Sequence, residues 1–212
     1  METSRNNSFP KDGDKLFISD AHEAKWMPSG IEDIFKLSEG YRLSAVSLYN
    51  EIKNSEWLNR QYLSSAMLFS FRQFLEVRMK ELIYIGKREI FEDPQFKAMH
   101  SLEDLFQTFV KEVLPKVDPS YDKGLANIVN KLIHEFNLVD PQSMSFRYPV
   151  DKNMNPIHSM KNFDIDNFKE TMDKLANYFD RQLEIVQMLE DYNTEMKAEM
   201  VAEYASYMYN TF

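Results

Sequence analysis

From Phe168 to Leu189 an apolar residue falls at every third or fourth position: Phe168, Met172, Leu175, Phe179, Leu183, Val186 and Leu189. Residues at that spacing share a side only in a helix, which repeats every 3.6 residues where a strand repeats every 2. The run is close to a heptad and predicts a long C-terminal helix, about 164–209. Met196, Met200 and Tyr207 prolong it, so it is expected to leave the bundle as an arm for a partner. The acids from Glu190 and Asp191 through Glu199 to Glu203 read as a solvated face. Tyr204, Tyr207, Met208 and Tyr209 are expected either to pack on a partner subunit or to fray as the end of the helix.

The same spacing recurs upstream. Ile31, Ile34, Phe35, Leu37 and Tyr41, then Leu43, Val46, Leu48 and Tyr49, predict a first helix, with Gly40 as a kink or a close-packing point. Lys53-Asn54-Ser55 is expected to break it, with Ser55 capping a second helix from about Glu56 to Ile85. Leu58, Tyr62, Ala66, Phe69, Phe71, Phe74, Leu75, Val77, Leu82 and Ile83 give that helix a face too broad for one neighbour, so it is expected at the centre. Gly86 is suited to the position just past its end, with a loop over Lys87–Met99. Ser101 followed by Asp104 reads as a capping box opening a third helix on Leu102, Leu105, Phe106, Phe109 and Val110, ended near Pro115. A fourth is expected over about Ser120–Phe136, and Pro141, Pro149 and Pro156 make 137–162 an ordered loop.

With 5 glycines in 212 residues there is too little turn punctuation for an all-β sandwich, while 43% hydrophobic residues suffice for a core. The fold class is therefore all-α: a bundle of about five helices with a long C-terminal helix and an irregular N-terminal arm. Residues 1–28 are assigned to a tail and arm, carrying the short apolar runs at Lys15–Ser19 and Trp26–Pro28, and residues 29–212 to one helical-bundle domain. The absence of cysteine excludes disulfides, thiolate zinc sites and cysteine nucleophiles. The polar start does not resemble a signal peptide, and no apolar run approaches the ~18 residues that span a bilayer. A cytoplasmic location without membrane association is expected.

The formal charge is −9, from 25 Lys and Arg against 34 Asp and Glu, which disfavours phosphate-rich partners at long range. A local basic face on Arg60, Arg72, Arg78, Lys80, Lys87 and Arg88 is the one countersignal. His22, His100, His134 and His158 are dispersed and form no His-Glu-x-x-His, and no glycine-rich phosphate loop occurs, so neither a metal nor a cofactor is expected.

Three patterns could carry chemistry. Arg72, Glu76 and Lys80 stand four apart and share a helix face. His100 precedes a helix start, where it could transfer protons near neutral pH or sit beside an anion. Asp140-Pro141 leads through Ser145 to Phe146-Arg147-Tyr148-Pro149. The catalytic candidates are Arg72, Glu76, His100 and Arg147; the ligand-binding candidates are Arg72, Lys80, His100, Arg147 and Tyr148. The competing structural expectation pairs Arg72 with Glu76, ties Arg147 to Asp140 or Glu76, and makes His100 a loop-to-helix hydrogen-bonding residue.

The long helix with its Arg72-Gln73-Phe74-Leu75-Glu76 run, the later His-x-Leu-x-x-Leu from His100 to Leu105 and the Phe146-Arg147-Tyr148-Pro149 loop resemble the HEPN superfamily over roughly residues 30–190. The resemblance is to its poorly characterised bacterial branch. It implies a four-to-five-helix bundle, often a homodimer, in proteins tied to RNA cleavage, toxin–antitoxin pairs or phage defence. Catalytic members carry an Arg followed by a His after four to six residues. None of the eight arginines here, Arg5, Arg42, Arg60, Arg72, Arg78, Arg88, Arg147 and Arg181, has a histidine at that distance. The expectation is accordingly a non-catalytic module that binds RNA, a nucleotide or a protein, rather than an enzyme. The alternatives are a metal-independent endoribonuclease with a non-standard Arg/His/Glu site and a structural adaptor acting through the C-terminal helix.

Overall fold

A computed structural model describes residues 16, 33–91, 99–141, 143–148, 150, 153–156 and 163–211, with side chains up to 207. Among them lie α1 (Ile34–Asn54), α2 (Trp57–Phe91), α3 (Leu102–Thr108), a π-helical turn (Phe109–Val113), α4 (Leu114–Val117), α5 (Lys123–Val139) and α6 (Ile165–Thr211). If α3, the π turn and α4 count as one rod, there are five helices, and the described residues hold no strand beyond an isolated bridge between Val150 and Pro156. The all-α expectation is met. Apart from exposed Leu16, the N-terminal arm lies outside the described residues, as do His22, Pro94, Phe96 and His158. Among the described residues, no helix is long and apolar enough to cross a membrane.

The helices start where short polar side chains can accept the first free backbone N–H groups. Ser101 Oγ accepts from the Asp104 amide at 3.2 Å, as its capping pattern predicts. Asp122 Oδ1 accepts from Gly124 at 2.7 Å and Leu125 at 3.0 Å, and Asp164 Oδ1 from Asp166 at 2.9 Å and Asn167 at 3.1 Å. Ser55 departs from expectation. It closes α1 instead of opening α2, its amide reaching Ile52 O and its hydroxyl donating to Glu51.

α2 is the central helix, buried on most of its circumference from Met67 to Ile83. α1 packs along one side of it, while α6 runs beside it in the same direction, so that Phe71 meets Phe168, Arg78 meets Asp180 and Arg88 meets Glu190. The core joins Ala45 and Ile52 of α1, Phe74 and Leu82 of α2, Phe106 of α3, Ile133 of α5 and Phe179 of α6. Phe106 and Phe179 meet edge to face at 6.1 Å. Each fully buried apolar side chain of this size contributes about 1.5–3 kcal/mol, and truncating Phe179 to Ala would cost about 3–5 kcal/mol.

Two boundaries differ from expectation. Gly86 does not end α2, which runs on to Phe91, because Gly86 faces the π turn: a Cβ built there would lie 2.3 Å from Val113 Cγ1. Its missing side chain serves close approach, not a left-handed turn. Nor does Pro115 stop the third rod, which continues to Val117. The π turn precedes it, the Leu114 amide reaching back to Phe109 O. A proline ring clashes with the carbonyl four residues earlier in a regular α-helix, and a widened turn relieves that clash.

Candidate functional site

Five of the singled-out residues, Arg72, Glu76, Lys80, His100 and Asp140, converge where α2, the start of α3 and the end of α5 meet. Arg72 is fully buried. Its Nη1 donates to Glu76 Oε2 at 2.5 Å, its Nε to the Asp140 backbone carbonyl at 3.2 Å, and its Nη2 to the His100 carbonyl. The Asp140 carboxylate, also fully buried, places Oδ2 3.4 Å from Arg72 Nε. Glu76 spends its other oxygen outward, accepting from Lys80 Nζ at 2.7 Å and meeting His100 Nδ1 at 2.9 Å. Burial would push the Glu76 carboxyl up. The bonds from Lys80 and His100, with the charges of Lys80 and Arg72, outweigh it and hold the carboxyl below the ordinary glutamate range.

Asp140 is a corner post. Its Oδ1 accepts from the amides of Met144 at 2.8 Å and Ser145 at 2.9 Å, folding the chain into a turn that includes Ser143 at φ 59°. Arg72 therefore fastens the loop after α5 to the centre of the bundle. Arg147 was expected to do this and does not. Its Nε donates to Ser143 O at 2.8 Å, its Nη2 approaches Met144 Sδ at 2.9 Å, and its guanidinium sits 5.6 Å from the Phe69 ring and 6.0 Å from Tyr148. Arg147 and half-exposed Tyr148 thus form a separate surface group, linked to α2 through Gln73, whose Nε2 donates to Ser143 Oγ at 2.5 Å. His100 alone of the converged set is well exposed, its side chain 69% accessible. With Nδ1 engaged by Glu76, the neutral ring carries its proton there and presents Nε2 as an acceptor.

The expected basic face does not form. Arg72 and Arg78 are fully buried, Lys87 pairs with Glu112 at 2.5 Å, and Arg88 pairs with Glu89 and Glu190. Lys80 pairs with Glu76, and among the described residues only Arg60 of the six stays exposed and without a carboxylate, its Nε donating to the Ser55 carbonyl at 2.9 Å.

A second buried charge cluster was not singled out from the sequence. Arg78 donates to Glu81 at 3.1 Å and to Glu39, lies 3.5 Å from Asp180, and stacks between Phe35 at 5.0 Å and Phe74 at 5.7 Å. Arg42 also pairs with Glu39, at 2.5 Å. One buried guanidinium thus faces carboxylates from three helices. Burial, reinforced by Glu39 and Asp180 and opposed by Arg78, pushes Glu81 up to about 7. Charged residues set among Phe74, Leu75, Val77 and Leu82 were the sequence signal for it.

α6 carries the most exposed feature. Its last hydrogen bond to α2 among the described residues is that of Asn193, which donates to Glu89. About 27 Å of helix follows to Thr211, at 1.5 Å per residue. Residues 194–207 are all exposed. Met196, Met200 and Tyr204 continue the stripe that Phe179, Leu183 and Val186 bury upstream, yet they are 40%, 66% and 66% accessible.

Comparison with known proteins yields no relative: no family model matches the sequence, and no curated protein or solved structure matches it. Among the described residues, no group of three or more His, Asp or Glu could hold a metal ion.

Proposed function

We propose that this chain is a protein-interaction module that captures a basic amphipathic helix along the exposed end of α6. The supporting observation is the continuity of one stripe. The apolar face that α6 buries against the bundle as far as Val186 runs on through Met196, Met200 and Tyr204 into solvent. A face of that kind is completed by a second helix laid along it. Methionine suits the role because its flexible, polarizable side chain adapts to varied partners.

Charge selects the occupant. Around the exposed stripe stand Asp191, Glu195, Glu199 and Glu203 against Lys197. A partner helix flanked by Lys and Arg meets opposite charge there, whereas a second copy of α6 sets acid against acid. The test is fluorescence anisotropy with two synthetic helices, a Leu stripe flanked by Lys and the same stripe flanked by Glu. The Lys peptide is expected to bind the full chain, more weakly as salt rises, and to lose at least about tenfold in affinity on Met200→Glu/Tyr204→Glu. Equal binding of the two peptides, indifference to the double substitution, or self-association through Met200 in sedimentation would each overturn the proposal.

An alternative activity, metal-independent RNA cleavage, is favoured by one observation: the exposed imidazole of His100 held at Nδ1 by a buried carboxylate. Its test is given in the Discussion.

A further inference from the structure

Away from the Arg72 network and from the exposed end of α6, a cavity of about 220 Å³ opens between α2, α5, the loop after α5 and the start of α6. Its wall is aromatic. Phe136 meets Phe146 edge to face at 6.0 Å and Phe168 at 5.8 Å, and Phe163 meets Phe168 at 5.7 Å. Leu68 and Met172 are among its other apolar lining residues. For scale, an apolar cavity of about 150 Å³ takes up benzene, so this one has room for a fused two-ring aromatic.

Its charged groups have one sign. Glu135 of α5 and Asp164 at the start of α6 line it, and none of the described lining residues is Lys, Arg or His. Asp164 already accepts two backbone amides as the cap of α6. Glu135 is exposed and makes no hydrogen bond or ion pair among the described residues. Aromatic faces attract a cation, and a carboxylate at the rim adds to that attraction.

We propose that this cavity binds a small aromatic amine, with the ring system among Phe136, Phe146 and Phe168 and the ammonium group at Glu135. Ring burial supplies most of the affinity and the carboxylate sets the preference for a cation over a neutral or anionic ring.

The experiment titrates the full chain with tryptamine, indole and indole-3-propionate, followed by amide NMR shifts. Tryptamine is expected to bind two- to fivefold tighter than indole, the range for a solvent-exposed ion pair, and indole-3-propionate weaker than both. Glu135→Gln should bring tryptamine and indole together. Leu132→Trp, or Thr171→Phe from the facing wall should the first fail to fold, should abolish uptake of all three while the thermal unfolding transition persists. Failure of tryptamine to saturate below millimolar concentration, an order in which the propionate equals or exceeds tryptamine, or unchanged uptake by a folded cavity-filling variant would overturn the proposal.

Discussion

Asp180 of α6 lies 3.5 Å from the guanidinium of Arg78 in α2, the third carboxylate around a buried cation that Glu39 and Glu81 already engage. Even with Arg42 pairing to Glu39, two cations face three carboxylates, and the most buried of the three, Glu81, is pushed up to about 7 by its burial, reinforced by the two flanking acids. Glu81 thus holds its proton more tightly folded than unfolded. Its contribution to stability is complete below the ordinary glutamate value, about 4.5, and is lost as pH rises through about 7. The difference is on the order of 3 kcal/mol. Glu81→Gln, which copies the neutral form, should match the wild type in thermal unfolding at pH 4.5 and exceed it at pH 8. A gap between the two that stays constant with pH would contradict this account.

Gly86 and Val113 set the distance between α2 and the π turn. Ala at Gly86 gains about 1 kcal/mol in helix propensity, but its Cβ falls 2.3 Å from Val113 Cγ1, and overpacking of that kind costs about 1–3 kcal/mol. A net loss of roughly 1 kcal/mol is expected for Gly86→Ala. In a Val113→Ala background the sign should reverse, and a denaturant double-mutant cycle measures both.

Arg72 is held by partners from three elements, and removing it leaves the buried Glu76 Oε2 and Asp140 Oδ2 without their cation. Arg72→Met is expected to cost about 3–5 kcal/mol. Arg72→Lys should not restore the loss, because one ammonium cannot reproduce the fork. The loop should loosen before the helices melt: in hydrogen exchange the amides of Met144 and Ser145, which rest on Asp140 Oδ1, should lose protection first.

For an interaction module, end-labelled mixed-sequence RNA should stay intact in EDTA at high protein concentration. Cleavage by the wild type that His100→Ala abolishes would instead assign RNA cleavage to the Glu76–His100 pair. The substitution leaves the His100 carbonyl for Arg72, so the fold is expected to persist. Arg147→Ala, removing a guanidinium bonded to Ser143 and Met144, separates a role for the neighbouring loop from one for His100.

Much of the architecture was legible because helices obey local rules. The three/four spacing placed α1, α2, α5 and α6 to within a few residues at most ends, the breadth of the α2 face put that helix at the centre, and Ser101 marked its own helix start. The convergence of Arg72 with Glu76 was readable for the same reason, as an i,i+4 pair on one face. Proline and glycine misled where their effect depended on neighbours. Pro115 sits inside a rod because a π turn absorbs its ring, and Gly86 sits inside α2 because Val113 needs the space.

The sequence by itself determined the helical class, the faces of each helix and the acidic, methionine-bearing end of α6, since these follow from residue order and a fixed helical period. Only the tertiary structure decided which charges are spent. Arg72 meets Asp140 across 68 residues of chain, and Arg78 gathers acids from three helices. No spacing rule encodes such partners, because the folding of the chain brings them together. The same holds for the stripe on α6: its composition is local, but its exposure beyond Asn193 depends on which helix surfaces pack along it.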